Sequence, residues 1–206
     1  AGRMSELPTP QDVLDYWIGE ATTSAAVAGE KNKLWFAKSD EIDEEIREKF
    51  LPILEALSHL PAAEDWAARG PRERLAAIIV LDQFSRNLFR GEARAFHQDD
   101  LALLLCKDGL ALRQDQGLSE CERIFFYLPL EHSEAPEDQA DSVSRFDELF
   151  IGSREAFRNL TESTLRYARA HKDVIDRFGR FPHRNAALGR ESTDDEKEWL
   201  AEGGGF

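Results

Sequence analysis

Charged side chains interrupt an apolar helical face near the middle of the chain. This face starts at Leu75, and steps of three and four residues continue it to Asp82 and Arg86. Those two residues have the spacing of a helical ion pair, and Arg90 extends the same face by one turn. Because an uncompensated buried charge costs several kcal/mol, the pattern predicts either an ion pair between helices or the wall of a cleft.

Three histidines could supply acid–base chemistry, since an imidazole titrates near neutral pH. His171 lies on the apolar face of a long predicted helix, His132 lies between two predicted helices, and His183 lies in an arginine-rich segment. In an enzyme, His171 would be the general acid or base and Asp82 or Glu134 would orient it. The structural alternative is that His171 is a core histidine whose ring nitrogens are hydrogen-bonded within the protein.

Metal binding by the same histidines with Glu134 is conceivable, but no pair has the i, i+4 spacing of a recognised zinc motif. The sequence therefore predicts no metal and no cofactor. Cys106 and Cys121 have neither disulfide-framework nor metal spacing. Two ordinary thiols indicate the reducing cytoplasm as the simplest compartment.

A basic segment follows the last long predicted helix. Residues 177–190 (RFGRFPHRNAALGR) hold four arginines and no acid, a charge of +4 in a chain of net charge −14 whose remainder carries −18. Gly179 and Pro182 stiffen the turn that carries this segment. Its arginines could neutralise carboxylates, bind an anion or form an interface. The predicted ligand-binding residues are Arg86, Arg90, His132, His171, Arg180, His183, Arg184 and Asn185.

Composition limits the partners of this chain of 206 residues. With 40 acidic residues against 26 basic ones, the chain is a poor non-specific binder of nucleic acid or of anionic lipid. Its longest strongly apolar run, 75–81, is far below the roughly 20 residues of a membrane span. The sequence therefore predicts neither a nucleic-acid nor a membrane partner, and it leaves the oligomeric state open.

Helix-forming residues dominate and no sustained strand alternation occurs, so an all-α fold is expected. We expect seven to nine helices arranged as antiparallel hairpins in one domain, residues 4–206. Ala1–Arg3 are interpreted as an expression-vector remnant and residues 203–206 as a mobile tail. Predicted helices cover 10–18, 39–57 with a kink or break at Pro52, 71–90, 95–112, 119–128, 136–150 and 153–178, with a last one from Thr193; 19–29 are predicted to be a loop.

Three motifs resemble those of a bacterial family, the domain of unknown function 924. They are LDQFSRNLFRG (Leu81–Gly91), LPLEHSE (Leu128–Glu134) and HKDVIDRFGRFPHRNAALGRES (His171–Ser192). The resemblance covers nearly the whole chain after Met4 and implies a tetratricopeptide-like α-α superhelix, but no reaction. The motif positions that it marks are Asp82, Gln83, Arg86, Asn87, Arg90, His132, Ser133, Glu134, His171, Arg180, His183, Arg184 and Asn185.

Three functional hypotheses follow. A binding module would hold an anionic small molecule or an acidic peptide in an arginine- and histidine-lined cleft. An enzyme would use His171, His132, His183, Asp82 and Glu134 for acid–base chemistry on an anionic substrate. In the third hypothesis, the polar motifs are an ion-pair lock that holds the C-terminal segment to the helix 71–90.

Overall fold

The computed structural model describes residues 6–206, and every regular element in that range is helical. This confirms the predicted all-α fold class. The interpretation of Ala1–Arg3 as a vector remnant concerns residues outside the described range. Within the described range, no helix combines the length and the apolar character that crossing a membrane requires.

The α-helices are, in chain order, α1 (Pro10–Trp17), α2 (Ala25–Glu30), α3 (Asn32–Phe36), α4 (Asp40–Leu57), α5 (Leu60–Arg69), α6 (Pro71–Ile78), α7 (Ser85–Leu88), α8 (Asp99–Ala111), α9 (Glu120–Glu131), α10 (Pro136–Ile151), α11 (Arg158–Phe178), α12 (Asn185–Leu188) and α13 (Asp194–Ala201). A π-helical segment, Ile79–Phe84, joins α6 to α7. The predicted count of seven to nine is not confirmed, because short helices such as α2, α3, α7 and α12 add to the long ones.

The N-terminal third follows its predicted caps but not its predicted breaks. Thr9 and Asp12 form the capping box of α1, and Ser39 caps α4. The segment 19–29, predicted to be a loop, contains a 3₁₀ turn and most of α2, which Ser24 caps. Helix α4 continues through Pro52 without the predicted break, since its buried face holds the helix together although a proline removes one hydrogen bond. The alternative, a kink at Pro52, stays a prediction.

The central element is the rod formed by α6, the π segment and α7. All residues from Leu75 to Ser85 are buried, and α6 packs against α1, α5, α8 and α9. The predicted helix 71–90 is therefore real, but it ends at Leu88 and contains a π segment. Such segments insert an extra residue into a turn and are frequent at functional sites. Here the insertion contains Asp82 and Gln83.

Helix α9 continues past the point at which it was predicted to stop. The Ser119–Glu122 capping box is present, but the helix includes Pro129 and ends at Glu131. All residues of 120–131 except Arg123 are buried, so packing holds the helix across the proline. As a result Glu131 is the last helical residue and His132 is the C-cap, rather than members of a loop.

The C-terminal third is built on the long helix α11, which packs along α10 and ends at Gly179 with φ +74°. A second small core cluster of Val174, Ile175 and Phe181 packs with Phe178 and Trp199. The Thr193–Glu196 capping box of α13 is present as predicted. The tail, residues 203–206, folds back onto α13, where Gly204 N–H donates to Trp199 O at 2.9 Å, and its mobility stays a prediction.

Candidate functional site

Asp82 and His132 form a buried pair between the central rod and the end of α9. His132 Nδ1 lies 2.8 Å from Asp82 Oδ1, and Gln83 Nε2 donates to Asp82 Oδ2 at 2.7 Å. Arg86 Nη1 lies 3.4 Å from the same carboxylate, so the predicted Asp82–Arg86 ion pair is present. Burial by itself would raise the pKa of Asp82, but His132 and Arg86 outweigh burial and lower it. Asp82 is therefore held ionised.

Two guanidinium groups, that of partly buried Arg86 and that of buried Arg184, share Asp99 at the start of α8. Arg86 contacts it through two nitrogens at 2.8 and 3.0 Å, and Arg184 Nη1 lies 3.7 Å away. Arg184 also donates to His132 O at 3.0 Å and lies between the rings of Phe96 and Phe181. Burial, and then the charge of Arg86, lower the pKa of Arg184 to about 10.

His171 and Glu131 face the same point from α11 and α9. His171 Nδ1 donates to Tyr167 O at 2.7 Å and lies 3.7 Å from Glu131 Oε2. Burial, and then the neighbouring His132, lower the pKa of His171 to about 3. Burial, and then the charge of Asp82, raise the pKa of Glu131 to about 8. One potential ligand atom from each of Glu131, His132 and His171 lies within 4.8 Å of the others.

These groups line one side of a cavity of about 1010 Å³, which also receives side chains from the central rod, α2, α3 and α11. Its basic residues are Lys38, Arg86, Arg90 and Arg184, and the acid among its described lining residues is Glu131. Its apolar lining includes Trp35, Phe36, Ile124, Leu128, Phe157 and Leu160. A cavity of this size with both charged and apolar lining residues has the features of a small-molecule site.

The folded-back tail reaches this cavity. The Phe206 ring stacks on His171 with centroids 3.7 Å apart and planes at 15°, and it meets the edges of Phe181 and His183. His183 also lines the cavity, and its Nδ1 has no hydrogen-bond partner within residues 6–206. Burial, and then the charges of Arg184 and Arg86, lower the pKa of His183 to about 4.

Three predicted site residues are used elsewhere. Arg180 makes two hydrogen bonds to Glu196, at 2.9 and 2.7 Å, and Glu134 accepts from Arg190 and from Phe181 N–H. Asn185 bonds Ser192 and Arg190. Their polar groups are satisfied within the C-terminal segment and its attachment to the end of α9, so the structure does not bring these three residues to the cavity.

The remaining candidates are gathered as predicted. Arg86, Arg90, His132, His171, His183 and Arg184 line the cavity, and Asp82 lies directly behind His132. Arg90 lies at the cavity with its guanidinium paired to Asp43 at 3.0 Å. The motif residues thus divide into a group around the cavity and a group of interlocking ion pairs.

Comparison with known proteins gives a family without a described activity. Residues 13–204 match the model of a family described as "Bacterial protein of unknown function (DUF924)". The chain belongs to this family. A solved structure of a protein of unknown function from Agrobacterium tumefaciens is similar at 32% sequence identity, covering 94% of this chain and 97% of that one with a TM-score of 0.76. No curated protein matches.

The DUF924 chain also places residues at the cavity that the sequence interpretation missed. Glu131 precedes His132 in the motif LPLEHSE, but the helix was expected to end before Pro129, which hid the inward position of Glu131. Lys38 and Phe206 lie in segments whose apolar residues show no helical spacing, so the sequence did not indicate where their side chains point. Asp99 was also missed. It begins α8, and acidic residues are common in the first turn of a helix because they interact favourably with the helix dipole.

The histidine tautomers follow from their partners. A carboxylate and a carbonyl can only accept, so the Nδ1 atoms of neutral His132 and His171 carry the protons and Nε2 carries the lone pair. Such an Nε2 can act as a base or as a metal ligand. Catalysis by these residues stays a prediction.

Proposed function

We propose that the cavity binds a small organic anion that has an apolar body. The observation that carries this proposal is that basic and apolar side chains together line one cavity of about 1010 Å³. Lys38, Arg86, Arg90 and Arg184 line the cavity of a chain whose net charge is −14. A carboxylate or phosphate would contact the guanidinium side and the apolar body would contact the aromatic side.

The electrostatic environment of His183 and Arg184 supports an anion on this side of the cavity. Burial is the largest cause of the lowered pKa of His183, and the charges of Arg184 and Arg86 follow it. Burial also lowers the pKa of Arg184, and the charge of Arg86 is the second cause. Cationic groups that disfavour one another's charged forms indicate a positive local potential. A bound anion would relieve this repulsion.

A small molecule fits better than an acidic peptide. The walls come from α2, α3, the central rod, α9, α11 and the tail, so they surround the volume on several sides. Cavities of about 300–1000 Å³ are usual for drug-sized ligands. An acidic peptide would be the ligand if the walls opened into a groove.

We also propose how the helices are arranged relative to one another. Successive helices pack on one another, α5 on α6, α8 on α9, α9 on α10 and α10 on α11, which supports antiparallel hairpins in a tetratricopeptide-like superhelix. We also keep the cytoplasm as the proposed compartment, on the basis of two free, buried cysteines.

The test is a binding assay with matched charged and neutral probes. Phenyl phosphate and phenylacetate are titrated by calorimetry, with phenylacetamide as the neutral probe and inorganic phosphate as the bare anion. We expect the aromatic anions to bind and the amide to bind at least about tenfold more weakly, since a charge-assisted contact contributes about 1.5–3 kcal/mol.

The matched variants are Arg184→Met at the cavity and Arg180→Met in the same segment but away from it. Arg184→Met should weaken binding of the aromatic anions at least about tenfold, whereas Arg180→Met should leave it unchanged. Absence of binding by every anionic probe, or equal losses in the two variants, would contradict the proposal.

A further inference from the structure

The Glu131 carboxylate is an unusual group in the cavity wall. The residue is only 4% exposed, and its side chain accepts no hydrogen bond within residues 6–206. His171 Nδ1 lies 3.7 Å from one of its oxygens. A buried carboxylate without a hydrogen-bond partner is costly, and a bound cation would compensate its charge.

The neighbouring imidazoles are prepared as ligands. His132 Nδ1–H is fixed by Asp82 and His171 Nδ1–H by the Tyr167 carbonyl, at 2.8 and 2.7 Å. Each histidine therefore keeps its Nε2 lone pair. An outer partner on the second ring nitrogen, often a carboxylate or backbone carbonyl, is the usual support of a metal-binding histidine. Asp82 is in turn fixed by Gln83 and Arg86.

The spacing of the three residues suits one small ion. One ring nitrogen of each histidine and one oxygen of Glu131 lie within 4.8 Å of one another, and ligands of a tetrahedral zinc ion are separated by about 3.4 Å. Side-chain movements of up to about 1.4 Å, which include a turn of the His171 ring that presents Nε2 to Glu131, close that difference. Two imidazoles and one carboxylate are also the donor set of one common class of zinc site that keeps a fourth position open.

We propose that Glu131, His132 and His171 form a binding site for a divalent transition metal ion, with zinc as the ion that the donor set fits best. Asp82 and the Tyr167 carbonyl are the positioning groups of this site. The fourth position faces the cavity and is free for water or for an anionic ligand. The site does not depend on the organic anion proposed above, because its three ligands are all supplied by the chain.

The experiment is calorimetric titration of chelator-treated, full-length protein with zinc sulfate alone at pH 7.5. We expect one zinc ion per chain. Asp82→Asn should weaken zinc binding roughly 10- to 100-fold, the usual effect of losing an outer partner of a ligand, and His171→Ala should weaken it at least as much. Glu131→Gln keeps the shape, removes the charge and should also abolish tight binding.

The matched control is His183→Ala, which alters a histidine of the same cavity outside the cluster and should change zinc affinity less than about twofold. Thermal melts of the metal-free variants report folding, and Glu131→Gln is the informative variant if His171→Ala does not fold. The proposal is overturned if the parent shows no stoichiometric zinc binding. It is also overturned if Glu131→Gln binds zinc as tightly as the parent and the His183→Ala control do. Because zinc alone is the probe, this outcome is independent of the organic-anion assay.

Discussion

Individual ion pairs explain the part of the motif that lies away from the cavity. Arg180 contacts Glu196 at the start of α13, and Arg190 contacts Glu134 beyond the end of α9. The Arg190–Glu134 pair attaches the C-terminal segment to the residues that follow α9, whereas the Arg180–Glu196 pair joins two parts of that segment. Neither pair involves the helix 71–90, so the lock to that helix stays a prediction. Bidentate contacts between arginine and a carboxylate add geometric specificity as well as energy.

Glu196→Gln tests the Arg180–Glu196 pair through the pH dependence of its contribution to stability. The hydrogen bonds from Arg180, aided by those of Thr193, lower the pKa of Glu196 to about 2. A carboxylate with a lowered folded-state pKa contributes stability above its unfolded pKa of about 4.3 and loses it as the pH falls towards the folded value. Glu196→Gln keeps the capping box and should lower the melting temperature at pH 7 but not near pH 2.

Thermal melts of both proteins from pH 7 to pH 2 measure this difference. Glu198→Gln, an exposed change on the same helix, is the control and should leave the melting temperature unchanged at pH 7. A difference between Glu196→Gln and the parent that stays constant down to pH 2 would show that the Glu196 charge is not what matters.

Residue spacing predicted part of the site. The i, i+4 relation of Asp82 and Arg86 survives in the structure as a 3.4 Å ion pair, although a π segment contains the first of them. Glu131 was not predicted, because its inward position depends on a helix that passes through a proline. Arg180 has the same residue type and segment as Arg184, but it contacts Glu196 and the Glu191 carbonyl and does not line the cavity.

At the scale of elements, α8 is held against α6 and α9 by close approach at Gly109. A Cβ added to Gly109 would lie 2.5 Å from Phe126 Cζ and 2.6 Å from Arg74 Cδ. Arg74 is buried and bonds Leu105 O at 3.0 Å. The glycine therefore serves packing, against the general preference of helices for alanine.

Gly109→Ala should destabilise the fold by about 1–3 kcal/mol, the usual cost of overpacking, despite the better helix propensity of alanine. Gly29→Ala is the matched control, since Gly29 is also helical and its added Cβ would meet nothing within 4 Å. That variant should be stabilised by up to about 1 kcal/mol. Chemical denaturation measures both, and two changes of the same sign would contradict the packing argument.

The sequence predicted the N-caps of four helices correctly. It did not predict that α4 and α9 continue through their internal prolines, Pro52 and Pro129. Thr9, Ser39, Ser119 and Thr193 begin helices because short side chains bond the first free backbone amides, which is a local effect. Whether a helix continues through Pro52 or Pro129 depends on the burial of its other residues. That burial is a property of the assembled fold and cannot be read from the proline itself.

At the scale of the whole molecule, the fold separates charge. The chain has a net charge of −14, yet the cavity contains four basic residues and one acid among its described lining residues. Composition alone predicts an acidic protein without anionic partners. Only the assembled helices bring Lys38, Arg86 and Arg184 to one place, since these residues lie far apart in the sequence.

Phe206→Ala tests how the tail affects access to that cavity. The Phe206 ring occupies space beside His171 that an aromatic ligand would use. Removing the ring should strengthen binding of phenyl phosphate, by about tenfold if the ring is docked nine-tenths of the time. Calorimetry on the variant and the parent measures the change. Leu112→Ala, which alters an exposed apolar side chain that does not line the cavity, is the control. Equal or weaker binding by Phe206→Ala would contradict the prediction.

The tethered ring has a consequence for dose response. Because Phe206 is part of the chain, the local concentration of its ring at the cavity does not fall when the protein is diluted. For the aromatic anions proposed above, the docked ring would therefore raise every apparent dissociation constant by one constant factor, equal to the inverse of the undocked fraction. This factor would be the same at every protein concentration, unlike the effect of a separate competitor molecule.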